Sequence, residues 1–468
     1  MHQWAARSTY YHIVIDRFAN GKNQFNFTNP EPGDHKLRQW MGGSIHGITQ
    51  SLDYLHQLGI DAILLTPFFK GKKYHGYWTT DFEEIDPHFG NQQQLKELVA
   101  TAHQRNIRVI MDLPITHCHR DSRYVKRALS NKNSPYRKWF YINEEEYFLG
   151  FFGDSALPEL NLELPELRNY LKAVTDRCLG FGFDGIRFDH AKRPSASFWN
   201  DFTGHLHQQH AQIFQLGENW HESGKIGTLS PYLHGELNIP LCKALRQFVK
   251  QPCRHTVKKI MHHVRVQKSQ RQQGYLLPTF LDNHDMERVG QLAQENQSII
   301  SLTYLIQLTL PYPPIIYYGS ERGQTQSRNL VNGQYERDRF FREPMNWQNG
   351  EDMACWIRKL IQYRNKYIAW FMSEPLSMQL LNENIFTYSY LCKDTMITVF
   401  INYSPDQQDI VLPVIPDESL LGSENIVHQY NNSNTKWQLQ GYSGAIINSN
   451  QNHAIMNIKS DSKTTTVA

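Results

Sequence analysis

At 468 residues the chain is too long for one simple core and suits a large domain carrying smaller attachments. Its 48 Lys and Arg against 45 Asp and Glu leave a formal charge of only +3, with no basic block, which argues against a nucleic-acid partner. No apolar stretch approaches the roughly 18 residues of a membrane-spanning helix, so no membrane association is expected.

Aromatic residues are plentiful at 12%. Rings fill cores; they also stack on flat sugar faces while Tyr O–H and Trp N–H groups meet the polar edges. The six cysteines (Cys118, Cys178, Cys242, Cys253, Cys355 and Cys392) are scattered without a CxxC pair. That spacing fits reduced thiols. The first residues, Met1 to Ser8, lack the apolar core of a signal peptide, so a cytoplasmic protein is expected.

Strand-like apolar runs alternate with helix-like segments as far as Trp370. Residues 11–15 give the first strand, 61–67 the second and 107–113 the third. Helical periodicity fills 95–104 and 167–179 between and after them. Further strands are expected at 185–189, 213–218, 276–282 and 314–318, with 237–240 supplying the remaining one. Eight strands alternating with helices predict a closed (β/α)8 barrel of the TIM type. Residues 118–156 are too long for an ordinary connection and read as an inserted subdomain after the third strand. The barrel then comprises 1–117 and 157–373. From 374 to 448 the pattern changes to alternation in short runs, as in an antiparallel β-sandwich, and 449–468 reads as a polar tail.

Four of the apolar runs end in charged residues, in a fixed order. Residues 109–117 hold Asp112 and end at His117; 182–189 end with Arg187 and Asp189; 214–219 hold Glu218; 279–285 end with His284 and Asp285. A buried strand cannot carry charge along its length, so charge at its end marks a mouth, and barrel active sites sit at the C-terminal ends of the strands. A lone Asp at a strand end is usually a helix cap or a salt-bridge partner; four such ends in order outweigh that reading. Retaining glycoside hydrolysis needs two carboxyl groups roughly 5–5.5 Å apart. Neighbouring parallel strands, about 4.8 Å apart, can hold that separation. Arg187 lies two residues before Asp189 and thus on the same side of the strand, where it would keep that carboxylate ionised. Glu218 sits beside Trp220, whose ring is expected to desolvate it and raise its pKa, as a proton donor requires.

These segments resemble the signature regions of the α-amylase family of glycoside hydrolases, and the resemblance covers nearly the whole chain. Residues 42–48 resemble the family's segment approaching the second strand, 157–161 its motif at the exit of the inserted domain, and 314–321 its last barrel strand. Residues 75–81 resemble the loop whose Tyr, here Tyr77, stacks under the sugar at the cleavage point. The resemblance implies Asp189 as nucleophile, Glu218 as general acid/base and Asp285 as transition-state stabiliser. It places Tyr77, His117, Arg187 and His284 around the glucose, with Lys192 touching sugars beyond the cleaved bond.

Three departures bear on metal binding. Thr116 stands where the family usually has a calcium-ligating Asn, Lys192-Arg193 where it often has Lys-His, and Glu159 where it usually has Asp. An Arg adds positive charge where a hard cation wants oxygens, so no metal or cofactor is expected there. A second family calcium follows a motif like residues 16–21; Lys22 comes next here and counts against it, while leaving calcium an open alternative. Residues 180–185 satisfy GxGxxG but lead into a strand, the wrong context for a dinucleotide site. His117-Cys118-His119 lacks a second ligand pair for zinc, and His262-His263 reads as solvated helix surface.

The expectation is a retaining hydrolase of α-1,4 bonds in starch-like malto-oligosaccharides, of unassigned oligomeric state. A glucanotransferase or an α-1,6/sucrose-type glucosidase is the alternative within the family. A non-catalytic barrel that only binds is the alternative outside it.

Overall fold

The computed structural model describes residues 2–21, 36–145, 147–220, 225–270, 272–327, 338–412, 426–431 and 434–450. Eight short parallel strands make one sheet: Tyr10–Ile13, Ala62–Leu65, Arg108–Leu113, Gly185–Phe188, Phe214–Gly217, Gly235–Glu236, Thr279–Phe280 and Pro314–Tyr317. Consecutive strands are neighbours, and the first also pairs with the eighth. The sixth and seventh meet only through a bridge between Gly235 and Leu276. There Glu236 N–H donates to the Leu276 carbonyl, and Leu276 N–H to that of His234, both at 3.0 Å. This seam closes the expected (β/α)8 barrel.

Period-two alternation sorts the strand side chains into two cores. Tyr10, Ala62, Leu64, Ile110, Phe214, Leu216, Phe280 and Ile315 form one cluster that plugs the barrel. Their neighbours Tyr11, Ile63, Leu65, Val109, Met111, Ile186 and Ile316 belong to the larger core shared with the surrounding helices. Two residues beyond the plug, the same inward phase turns polar: His12 follows Tyr10, Asp112 follows Ile110 and Glu218 follows Leu216. The plug is thus the floor of the site.

The sixth strand lies before the position read from sequence. Residues 237–240 do not form it: Asn238 accepts from Leu241 N–H and caps the helix Ile239–Lys250, with Pro240 in its first turn. A two-residue strand has too little apolar length to announce itself, whereas the helix start behind it is apolar. The seventh is also shorter than expected, since 276–282 contains only the two-residue strand Thr279–Phe280 and the isolated Leu276 bridge.

Between the third and fourth strands the chain forms the helix Arg123–Ser130, a 3-10 turn at Pro135–Trp139 and a hairpin of Gly150–Phe151 with Asp154–Pro158. That second hairpin strand continues across residue 156. His117 and Glu159 bridge antiparallel, fastening the segment's two ends together. Beyond the barrel, Ser377–Leu380, Ile385–Cys392, Thr395–Asn402 and Ser443–Asn450 form one antiparallel sheet. Gln408–Leu412, Ile426–Asn431 and Asn434–Leu439 form another. Ile385, Phe400, Ile410, Trp437, Leu439, Ala445 and Ile447 cluster as a separate small core. Residues 449 and 450, read as the start of a tail, complete the last strand; 451–468 lie outside the described residues.

Arg364, on the helix Glu351–Lys366, is fully buried against the turn that leads into the eighth barrel strand. Its Nη1 donates to the carbonyls of Leu308 at 2.7 Å and Leu310 at 3.1 Å, and its Nη2 to Tyr312 at 2.8 Å. Burial lowers its pKa to about 10, so the guanidinium still carries charge at neutral pH. Arg364→Met keeps the bulk but strands three carbonyls. The expected loss is about 3 kcal/mol of unfolding free energy, read as a lower denaturant midpoint in chemical unfolding.

Candidate active site

Arg187 is the centre of the polar layer above the plug. Its Nη1 donates to Asp112 Oδ2 at 2.5 Å and to Asp189 Oδ1 at 2.9 Å, while Nη2 meets Glu218 Oε1 at 2.8 Å. Three adjacent strands therefore deliver one carboxylate each to one guanidinium. Asp189 is 4% exposed and Glu218 1%. Asp189, His190 and Glu218 each place a polar atom within 4.8 Å of the others. His190 takes a φ of 46°, turning the chain off the strand end, and its N–H donates to Glu218 Oε2 at 3.1 Å.

A second group closes the opposite flank. Tyr77 O–H donates to Asp112 Oδ2 at 2.6 Å, and its ring lies parallel to His284 with centroids 5.0 Å apart. Gly76 makes this placement possible: at φ +83°, a Cβ there would stand 1.9 Å from the Pro67 carbonyl oxygen. Asp285 is held by Arg342 Nη2 at 2.8 Å and His284 Nε2 at 3.2 Å. His117 Nε2 contacts the Tyr77 carbonyl at 3.0 Å, and its ring stacks on Phe151 of the inserted hairpin. The open pocket so bounded measures about 200 Å³.

The charge pattern differs from the sequence expectation. One guanidinium faces three buried carboxylates. Burial raises Asp189 well above the usual range, and repulsion from Glu218, Asp112 and Asp285 adds to it more than Arg187 can offset. Glu218 also suffers burial, but Arg187, His190 and the Trp220 N–H bring it down to about 2. Trp220 was expected to desolvate this acid; instead its Nε1 donates to Oε1 at 3.0 Å and favours the ionised form. Burial thus favours the neutral form of Asp189, and Arg187 the ionised form of Glu218. The imidazoles are neutral: burial lowers His12 and His117 to about 3 and His284 well below its ordinary value, with nearby cations adding to each.

The structure brings Tyr77, His117, Asp189, His284 and Asp285 to the pocket wall. Arg187 and Glu218 lie just beneath it. Lys192 is exposed and does not line the pocket. Sequence reasoning did not assign roles to Asp112, His12, Arg342 and Phe151. For Asp112 and His12 the signal was present, a polar residue on the inward phase of an apolar strand; Arg342 comes from a distant loop and left none.

The residues at the position of the family's usual calcium do not fit that ion. Arg193 Nη1 donates to Glu159 Oε1 at 2.9 Å, so a guanidinium sits on the carboxylate that would face the cation. Thr116 Oγ1 is in contact with His117 Nδ1 at 3.1 Å. The same Arg193 lies over the rings of Phe151 and Phe152, at 4.8 and 4.6 Å. At the N-terminal position Asp16 is engaged by Arg17 and by the N–H groups of Met41 and Gly42, while Lys22 lies outside the described residues.

Comparison with known proteins bears on this geometry. The family described as "Alpha amylase, catalytic domain" matches residues 12–146 and 142–369, which contain every side chain of the site. The chain belongs to the α-amylase family. Alpha-amylase 2 of Dictyoglomus thermophilum is 31% identical over 370 residues, 78% of this chain and 64% of that protein. This chain thus spans a little under two thirds of that relative. A cyclomaltodextrinase of Geobacillus thermopakistaniensis is 29% identical over 435 residues, 88% of this chain and 71% of that one. Among solved structures, a cyclomaltodextrinase superposes with a TM-score of 0.83 at 26% identity, covering 95% of this chain and 79% of that chain. The α-amylase of Geobacillus thermoleovorans, complexed with acarbose, gives 0.78 at 25% identity, covering 95% and 98%.

If Arg193 supplies the charge at the inserted segment, chelation should not loosen it. EDTA is expected to leave the melting temperature within about one degree, whereas Arg193→Ala should lower it by roughly 2–4 °C, as scanning calorimetry would read.

Proposed function

We propose that this chain is a retaining glycoside hydrolase cleaving α-1,4-glucosidic bonds of malto-oligosaccharides through a covalent glycosyl-enzyme. The observation that carries this reading is the pair of carboxyl groups, Asp189 and Glu218, within 4.8 Å at adjacent strand ends and bridged by Arg187. That spacing suits a nucleophile and an acid flanking the scissile bond, with no room for a water between nucleophile and sugar. The relatives named as amylases and cyclomaltodextrinases support an α-glucan substrate.

Asp189 attacks the anomeric carbon while Glu218 gives its proton to the departing glycosidic oxygen; Glu218 then takes a proton from water, whose oxygen releases the sugar from Asp189. The reaction needs the proton on Glu218, whereas burial favours it on Asp189. A sugar seated against Asp189 stabilises its ionised form, and Glu218 turns off Arg187 toward the glycosidic oxygen, taking the proton. Asp285, positioned by Arg342 and His284, braces the ring hydroxyls and the oxocarbenium-like charge. Tyr77, on the parallel His284 ring, offers a face for the sugar at the cleavage point, and the neutral His117 and His284 rings bound the same pocket. Lys192, at the exposed rim, meets sugars beyond that bond. No step calls on a metal. The relative named intracellular maltogenic amylase of Bacillus subtilis supports a cytoplasmic site of action.

Asp189→Asn is expected to cut kcat by several orders of magnitude while glucan binding, followed by calorimetry, survives. Undiminished turnover in that variant would remove Asp189 from the nucleophile's role. The pH profile of kcat/KM should be a bell. Burial and its acidic neighbours raise Asp189, which moves the alkaline limb above the range of an ordinary carboxylate. The acid limb comes when Glu218, held near 2 in the free enzyme, and Asp112 begin to take up further protons. A product time course on maltoheptaose with EDTA present should yield short linear maltodextrins only. Products longer than the substrate would give precedence to glucanotransfer, and no action on any α-glucoside by folded protein would leave only the binding-module reading.

A further inference from the structure

Charge is unevenly spread over the pocket wall. Four cationic side chains face it, Arg38, Lys73, Arg339 and Arg342, whereas among the described residues only Asp189 and Asp285 bring carboxyl groups to it. Each of those acids already holds a guanidinium: Arg187 meets Asp189 at 2.9 Å, and Arg342 meets Asp285 at 2.8 Å. Arg38, Lys73 and Arg339 add further positive charge to a cavity whose histidines are neutral. Bringing like charges together in a partly desolvated space is unfavourable, and an uncharged glucan does nothing to offset it.

The cations are set in place by the fold. Arg38 ends the 3-10 turn Lys36–Arg38. The fully buried Arg17 fastens that turn, its Nη2 donating to the carbonyls of Leu37 and Gln39 at 2.9 Å each. Arg339 lies on the short helix Asp338–Phe341, which packs against the same turn. Arg342 follows directly and also donates to the His284 carbonyl at 2.8 Å. Lys73 comes from the loop that carries His75 and Tyr77, its ammonium 5.1 Å from the centre of the Trp78 ring. A neutral group inside this flank feels the charge: burial first, then Arg342, Lys73 and Arg17, hold the His75 imidazole well below its ordinary value. The flank carries Asp285, whereas Glu218 is bounded by His190 and Trp220. The sugar retained on Asp189 therefore lies toward the cations, and the departing one toward His190.

We infer that this flank is a phosphate site, and that the preferred substrate is an α-linked glucoside whose retained sugar bears a phosphate monoester. Guanidinium forks match phosphate oxygens in pairs, and an ammonium adds a compact point charge. The phosphate is bound and not cleaved; the bond broken is still the glycosidic one. The inference rests on the hydrolase reading and deepens it by naming the substrate's charge.

The test has a binding arm and a turnover arm. Calorimetric titration of the wild type, Arg38→Gln and Arg339→Gln compares glucose 6-phosphate with glucose. The wild type is expected to bind the phosphate ester about a hundredfold more tightly, the size of two charge-assisted contacts. Each Gln variant should lower that preference about tenfold, and added salt should shrink it in the wild type. In turnover, 4-nitrophenyl α-glucoside 6-phosphate should exceed the unphosphorylated glucoside in kcat/KM, mainly through KM. A wild type that binds both sugars equally, or a preference that neither variant alters, would overturn the phosphate site. Tight binding of glucose 6-phosphate by protein that cleaves neither aryl glucoside nor maltoheptaose would instead sink the hydrolase reading.

Discussion

Three carboxylates of the site, Asp112, Asp189 and Glu218, are arranged around a single buried cation, Arg187. Taking a guanidinium and three carboxylates out of water is costly, and removing one member of such a group leaves charge uncompensated. The barrel meets that cost by bringing adjacent strands into register, so that Asp112, Asp189 and Glu218 converge on the two Arg187 terminal nitrogens. A Lys could not serve all three, because it offers one nitrogen where the guanidinium offers a planar fork. The shortage of positive charge, one cation for three acids, is what keeps a proton resident among them. The surrounding imidazoles stay neutral chiefly because they are buried, and Arg187 and Arg342 repel a further cation.

How much of this could be read from sequence depended on which physical signal each residue carries. Asp189, Glu218 and Asp285 stood out because a charge that ends an apolar run has few structural explanations. Asp112 stood in the same kind of run, but as a strand-interior acid it has meaning only once the inward phase and the neighbouring Arg187 are known. Arg342 reaches Asp285 from a loop 57 residues away in sequence, and no local pattern encodes such a meeting. The sixth strand failed for the opposite reason: the backbone pairs over two residues only, too few for period two to show. Trp220 misled because a ring beside an acid suggests desolvation, and only coordinates reveal that its N–H points at the carboxylate.

The inserted hairpin shows how one substitution can alter the means of holding a segment without altering its place. Arg193 pairs with Glu159, which bridges to His117, and roofs Phe151 and Phe152. A side chain that belongs to the polypeptide cannot dissociate or be chelated, and it brings a flat surface for stacking that a spherical ion lacks. The segment's fastening and the pocket's aromatic edge are consequently the same structure.

The seam between Gly235 and Leu276 places the barrel's fewest inter-strand hydrogen bonds between the sixth and seventh strands, next to the fifth. Local opening follows the weakest pairing, and a closed ring of strands has to breathe somewhere. Here amide protons at the sixth and seventh strands would exchange with solvent well before those beside Arg187. That seam lies between the strands that lead to Glu218 and to Asp285, so thermal opening of the wall acts on the flank of the proposed site itself.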